Sequence, residues 1–172
     1  MALVIIFAFS SMPKMTMTTQ AAETNEFAGG SGTEADPYLI STATHLNNVR
    51  NYPDKYFEMT NDIVLKTSDY SSTSTYWEPI SNFSGGFDGN GFAIENLRMS
   101  RLFSGEAMST GGYRTYGYFG LFGNVSGAVS NLHLKNVNLL VNVKKLTTSS
   151  GGNSTNIYLG AVAGYVTGTV KN

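Results

Sequence analysis

One pattern occurs twice in this chain and limits what it can fold into. Gly120–Asn131 reads Gly-Leu-Phe-Gly-Asn-Val-Ser-Gly-Ala-Val-Ser-Asn, and Ala161–Asn172 reads Ala-Val-Ala-Gly-Tyr-Val-Thr-Gly-Thr-Val-Lys-Asn, 41 residues on. Gly123/Gly164, Val125/Val166, Gly127/Gly168, Val129/Val170 and Asn131/Asn172 coincide, and Leu121/Val162 and Phe122/Ala163 are apolar in both copies. A short apolar segment cannot bury its own face, but stacked copies can. Glycine reaches positive φ at no steric cost, so Gly123 and Gly127 are expected to mark bends, with Val125 pointing inward. Glycine-rich hairpins in a sandwich are the other arrangement open to this pattern.

Composition narrows the class. Charged residues make up 13% and the formal net charge is −1, so no basic stripe exists for nucleic acid or an anionic membrane surface. The 19 Gly and 10 Tyr, with many Ser, Thr and Asn, favour strands joined by turns, and the lack of Cys is compatible with export.

The N-terminus has the look of a targeting segment. Leu3–Phe9 is an apolar run too short to span a bilayer, which needs about 20 residues. Small residues at Thr19 and Ala21 suit cleavage after Ala21, although no basic residue precedes the run. The expected organisation is a signal peptide over 1–21, a lead-in over 22–36 and one strand-rich domain over 37–172 of a secreted or cell-surface protein. An apolar strand packed on the domain is the other reading of Leu3–Phe9.

Within the domain, Pro37 opens a strand. Thr42–Asn51 reads as a helix, capped by Ser41 or Thr42, with Leu46 and Val49 on one face and Pro53 as its stop. It is expected to cap the first strands against edge-to-edge association. Tyr56–Met59 and Ile63–Leu65 are strand candidates, Trp77 a core residue, and Asp88-Gly89-Asn90-Gly91 a tight turn. Ile94, Asn96 and Leu97 match Val129, Asn131 and Leu132, suggesting an earlier repeat 35 residues back. Polar loops are expected over 66–76, 100–116 and 144–156.

Gly-Ser-Gly-Thr-Glu-Ala-Asp-Pro-Tyr-Leu-Ile-Ser-Thr-Ala (30–43), Trp-Glu-Pro-Ile (77–80), Phe-Ser-Gly-Gly-Phe-Asp-Gly-Asn-Gly (83–91) and the segment 120–132 resemble the leading part of bacterial GLUG-repeat surface proteins. Similar segments precede the catalytic region of IgA-protease-like metallopeptidases. The resemblance spans about Phe27–Asn172 and implies an all-β, right-handed parallel β-helix, a solenoid with a short N-terminal capping helix, on adhesin-like exported proteins. Ala161 and Ala163 depart from the Gly-Leu-Val-Gly more usual in that family. The second copy stops on Asn172 without a closing cap, so a continuation of the same polypeptide beyond it is expected.

Few residues suggest chemistry. His45 and His133 lack the companions that a metal site needs, and no nucleophile or phosphate-loop motif is present. Asp62, Asp69, Asp88 and Glu95 are the carboxylates that a strand groove would display, but Asp62 and Asp88 are expected to bond local backbone in turns. Tyr113, Arg114 and Tyr116 are the candidate ligand-binding residues, because exposed aromatics beside a cation stack on sugar rings or anchor a protein. Asn82, Asn124 and Asn153 fit the glycosylation acceptor pattern. The expectation is a non-catalytic extracellular module without cofactor or metal, adhesin-like or a stalk, with a host or matrix glycan or protein as ligand. Its partners would include neither nucleic acid nor, in the mature form, a membrane interior. The alternative is the non-catalytic N-terminal portion of a secreted metallopeptidase or carbohydrate-active enzyme.

Overall fold

A computed structural model describes residues 26–70, 76–103, 114–143 and 154–172. The proposed signal segment and Tyr113 lie outside the described residues.

The order begins with β1 (Tyr38–Ile40), α1 (Ala43–Asn48), β2 (Tyr56–Met59), β3 (Ile63–Val64), β4 (Gly86–Asp88), β5 (Ala93–Glu95) and β6 (Arg98–Phe103). It continues with β7 (Arg114–Phe119), β8 (Phe122–Val125), β9 (Ala128–Ser130), β10 (His133–Lys135) and β11 (Asn138–Val143). The last strands are β12 (Ser154–Leu159), β13 (Ala163–Val166) and β14 (Thr169–Lys171).

The structure corrects the expected right-handed parallel β-helix. Its short strands form separate parallel sheets, one ordered β1-β2-β4-β9-β14, one ordered β10-β5-β3, and the pairs β11-β6, β12-β7 and β13-β8. No continuous solenoid is found among the described residues. The physical reason is strand length. The described strands run only two to six residues; β4, β7 and β12 are followed by glycine, and β5, β9 and β10 by the left-handed Asn96, Asn131 and Asn136, so these ladders stop before they join the next.

The repeat itself is realised as pairing. Val125 lies opposite Val166 and Val129 opposite Val170, both in parallel register. The proposed repeat 35 residues back is not: Ile94 lies opposite Leu134 and Asn96 bonds Asn136, each 40 residues on. The glycines meet the expectation in part: Gly127 and Gly168 lie at bends between β8 and β9 and between β13 and β14, and Val125 is buried, whereas Gly123 and Gly164 lie inside β8 and β13, and none of the four has positive φ. They are needed for close approach: a Cβ at Gly127 would stand 2.0 Å from the Gly85 carbonyl oxygen.

The Asp88–Gly91 turn forms as expected, with positive φ at Asn90 and Gly91 and a bond from Phe92 N–H to Gly89 C=O. It passes the chain from β4 to β5, which belong to different sheets, and so makes no hairpin.

The interior is built on registered columns. Tyr38, Phe57, Phe87, Val129 and Val170 occupy equivalent positions on the five strands of the largest sheet. Phe57 lies 6.2 Å from Phe83, and Phe83 lies 4.8 Å from Phe122, measured between ring centroids. Burying each such ring contributes about 1.5–3 kcal/mol. Trp77 is buried in the same core, as expected, and donates Nε1–H to Leu121 C=O. Arg50 lies over its ring.

Thr42 caps α1 by accepting from His45 N–H, and Leu46 and Val49 enter the core, the latter from a 3-10 turn over Val49–Asn51. The helix does not close the backbone edge of β1. Ala28 and Gly29 do so, by bonds to Leu39 C=O and from Leu39 N–H. Phe27 then stacks on Tyr38.

Candidate functional site

The sequence Arg-Thr-Tyr-Gly-Tyr-Phe of β7 alternates, so neighbouring side chains face opposite ways. Gly117 and Phe119 are buried, and Ile157, the partner of Gly117, packs against the core. Tyr116 and Tyr118 therefore share the outward face. β12 pairs in parallel, with Asn156 opposite Tyr116 and Tyr158 opposite Tyr118. The Tyr118 and Tyr158 rings stack at 5.2 Å.

Tyr165 of β13 completes the group, 5.4 Å from Tyr118 and 5.5 Å from Tyr158. Gly164 brings it there. A Cβ at Gly164 would meet Phe119 N at 2.5 Å and Tyr158 O at 2.7 Å, so only glycine lets β13 approach β7 and β12. Tyr116, Tyr158 and Tyr165 are all exposed. Tyrosine joins an apolar ring to a polar tip, which suits a surface that stacks on a ligand and bonds its hydroxyls.

Of the expected ligand-binding residues, Tyr116 lies on this face and is 51% exposed. Arg114 opens β7 opposite Ser154, with its side chain outside the described residues. Tyr158 and Tyr165 were not singled out from sequence. The signal was present but shifted: Tyr118/Tyr158 and Gly120/Gly160 are 40 residues apart, whereas Gly123/Gly164 are 41 apart. One extra residue in the second copy hides the match.

The carboxylates are occupied. Asp88 accepts from Asn90 N–H and Asn131 Nδ2, the first of these the local bond expected. Asp62 accepts from Ala93 N–H, 31 residues away, and not from local backbone. Asp69 accepts from Lys66 N–H, and Glu95 pairs with Lys135. Among the described residues no group of three or more His, Cys, Asp or Glu could hold a metal ion.

Burial lowers the pKa of His45, and its Nδ1 lies 3.3 Å from Ser41 N–H, placed to accept from it. His133 is exposed on β10. Asn82 and Asn124 are engaged with one another: Asn82 N–H donates to Asn124 Oδ1, and Asn124 Nδ2 donates to Asn82 Oδ1. Asn153 lies outside the described residues. No described helix is long and apolar enough to cross a membrane.

Two curated proteins are similar to this chain. One, named as a Gly-rich membrane protein of Evansella cellulosilytica, is 40% identical over 119 residues, which cover 66% of this chain and 12% of that protein. The other, named halomucin, of Haloquadratum walsbyi, is 32% identical over 152 residues, covering 83% of this chain and 1% of that protein. The chain thus spans only a small part of either relative's length. No family model matches it, and no solved structure matches it.

Proposed function

We propose that this chain is a non-catalytic module of a surface- or membrane-associated protein, and that its outward tyrosine face binds sugar rings. The observation that carries the reading is the gathering of Tyr116, Tyr118, Tyr158 and Tyr165 from three strands onto one exposed face. A stacked aromatic ring offers a flat apolar surface to the C–H face of a pyranose, and the phenol hydroxyl bonds its rim. The names of the two relatives, a Gly-rich membrane protein and a halomucin, support the location. The engagement of Asp62, Asp69, Asp88 and Glu95 supports a binding role over hydrolysis, because a glycosidase needs two carboxyls free to reach one bond.

The test is retention on immobilised neutral polysaccharide together with fractionation of the producing cell. The protein is expected in the envelope or surface fraction and on the polysaccharide, and Tyr116→Ser with Tyr158→Ser should weaken retention about tenfold. Equal retention of that variant removes the sugar-binding role, and recovery solely from the cytosol removes the surface role.

A further inference from the structure

The two ends of the strand array differ. At the first end the edge of β1 is closed by Ala28 and Gly29, and Phe27 covers Tyr38. At the last end β12, β13 and β14 each pair, among the described residues, on one side only, with β7, β8 and β9. Side chains that are buried on the inner strand are open on the outer one. Phe119 is 6% exposed but its partner Leu159 is 50%, and Val125 is 1% but Val166 is 40%. Val129 is 1% exposed but Val170 is 44%.

The backbone carries the same asymmetry. Gly85 C=O accepts from Ala128 N–H, and Gly127 C=O accepts from Thr169 N–H. Gly168 C=O is the next acceptor in that row and has no partner among the described residues. An unpaired edge beside an apolar face is a template for another strand.

We propose that the face formed by Leu159, Val166 and Val170 is covered by a further strand-forming length of the same polypeptide, pairing in parallel with β12, β13 and β14. Register favours this occupant, since each pairing that joins these strands to their neighbours is parallel at a spacing of 40 or 41 residues. Both relatives are many times longer than the part that this chain matches. The β1 edge that a second copy would offer to β14 head to tail is already bonded to Ala28 and Gly29. The proposal is independent of sugar binding.

These 172 residues contain no cysteine, so peptide mapping of the label reads the introduced thiol alone. In the polypeptide as the cell makes it, Val170→Cys and, separately, Val166→Cys are labelled with a thiol reagent. Val64→Cys, at a position 48% exposed, is the open reference, and native Trp77 fluorescence confirms folding. Both thiols are expected to react at least about tenfold more slowly than the reference, at a rate unchanged by dilution. Reaction within about tenfold of the reference overturns the proposal. Protection that disappears on dilution also overturns it and assigns the face to a second copy.

Discussion

Gly168 lies against Gly127 so closely that a Cβ on it would stand 1.9 Å from the Gly127 carbonyl oxygen. The contact is backbone to backbone, so no side-chain rotation relieves it. Gly127→Ala is therefore expected to destabilise the protein by about 3 kcal/mol, through displacement of the Gly85 carbonyl and loss of the adjoining bonds. Gly91 is the control. Its φ of +77 strains an added side chain, but nothing lies within 4 Å of its Cβ position. Gly91→Ala should cost about 1 kcal/mol and Gly91→Asn less, as measured by urea unfolding.

Asparagine shares with Gly127 and Gly168 the bending that was expected of glycine. Asn82 has φ of +55 and its side chain accepts from Asn124. Asn82→Ala combines left-handed strain with a lost hydrogen bond and should cost about 2 kcal/mol. Asn82→Gly keeps the dihedral and should cost about half as much. Equal effects in thermal unfolding would show that the backbone conformation contributes little.

The buried Trp77 gives a direct probe of the core. Leu121 C=O accepts from both Trp77 Nε1–H and Ile80 N–H. Trp77→Phe removes one of these bonds and leaves a cavity beside Arg50, so a loss of about 2 kcal/mol is expected. The sole tryptophan should emit at short wavelength when folded and shift to the red in one step with denaturant. A red-shifted native spectrum would place it in water.

His45 sets a pH dependence whose sign follows from burial. Its pKa is lowered from the ordinary 6.5, so the folded state binds fewer protons than the unfolded chain in the window below that value. Its contribution is complete above about pH 6.5 and is lost as pH falls below it. Urea midpoints at pH 7.5 and 5.5 should differ more for the native protein than for His45→Gln. Identical pH slopes would show that the imidazole does not report on folding.

What could be read in advance was local and periodic. Tyr56–Met59, the Asp88–Gly91 turn, the Thr42 cap and the buried Trp77 follow from alternation, turn chemistry and apolar spacing within a few residues. The spacing of Val125 and Val166 gave their register. Division of the described strands into five sheets was not legible, because it depends on where each ladder stops and not on which residues form strands. The partner of Asp62 was missed for a similar reason: Ala93 N–H lies on another strand. The tyrosine face needed pairing across 40 residues and the one-residue shift near Gly160, which a fixed period conceals.

The reading of the tyrosine face is tested most directly by NMR of the tyrosine rings during titration with short neutral oligomers of glucose and of N-acetylglucosamine. Resonances of Tyr116, Tyr118, Tyr158 and Tyr165 should move together and saturate, while those of Tyr38, Tyr56 and Tyr70 stay in place. Unmoved rings on the first set, or shifts confined to the second, would contradict the account.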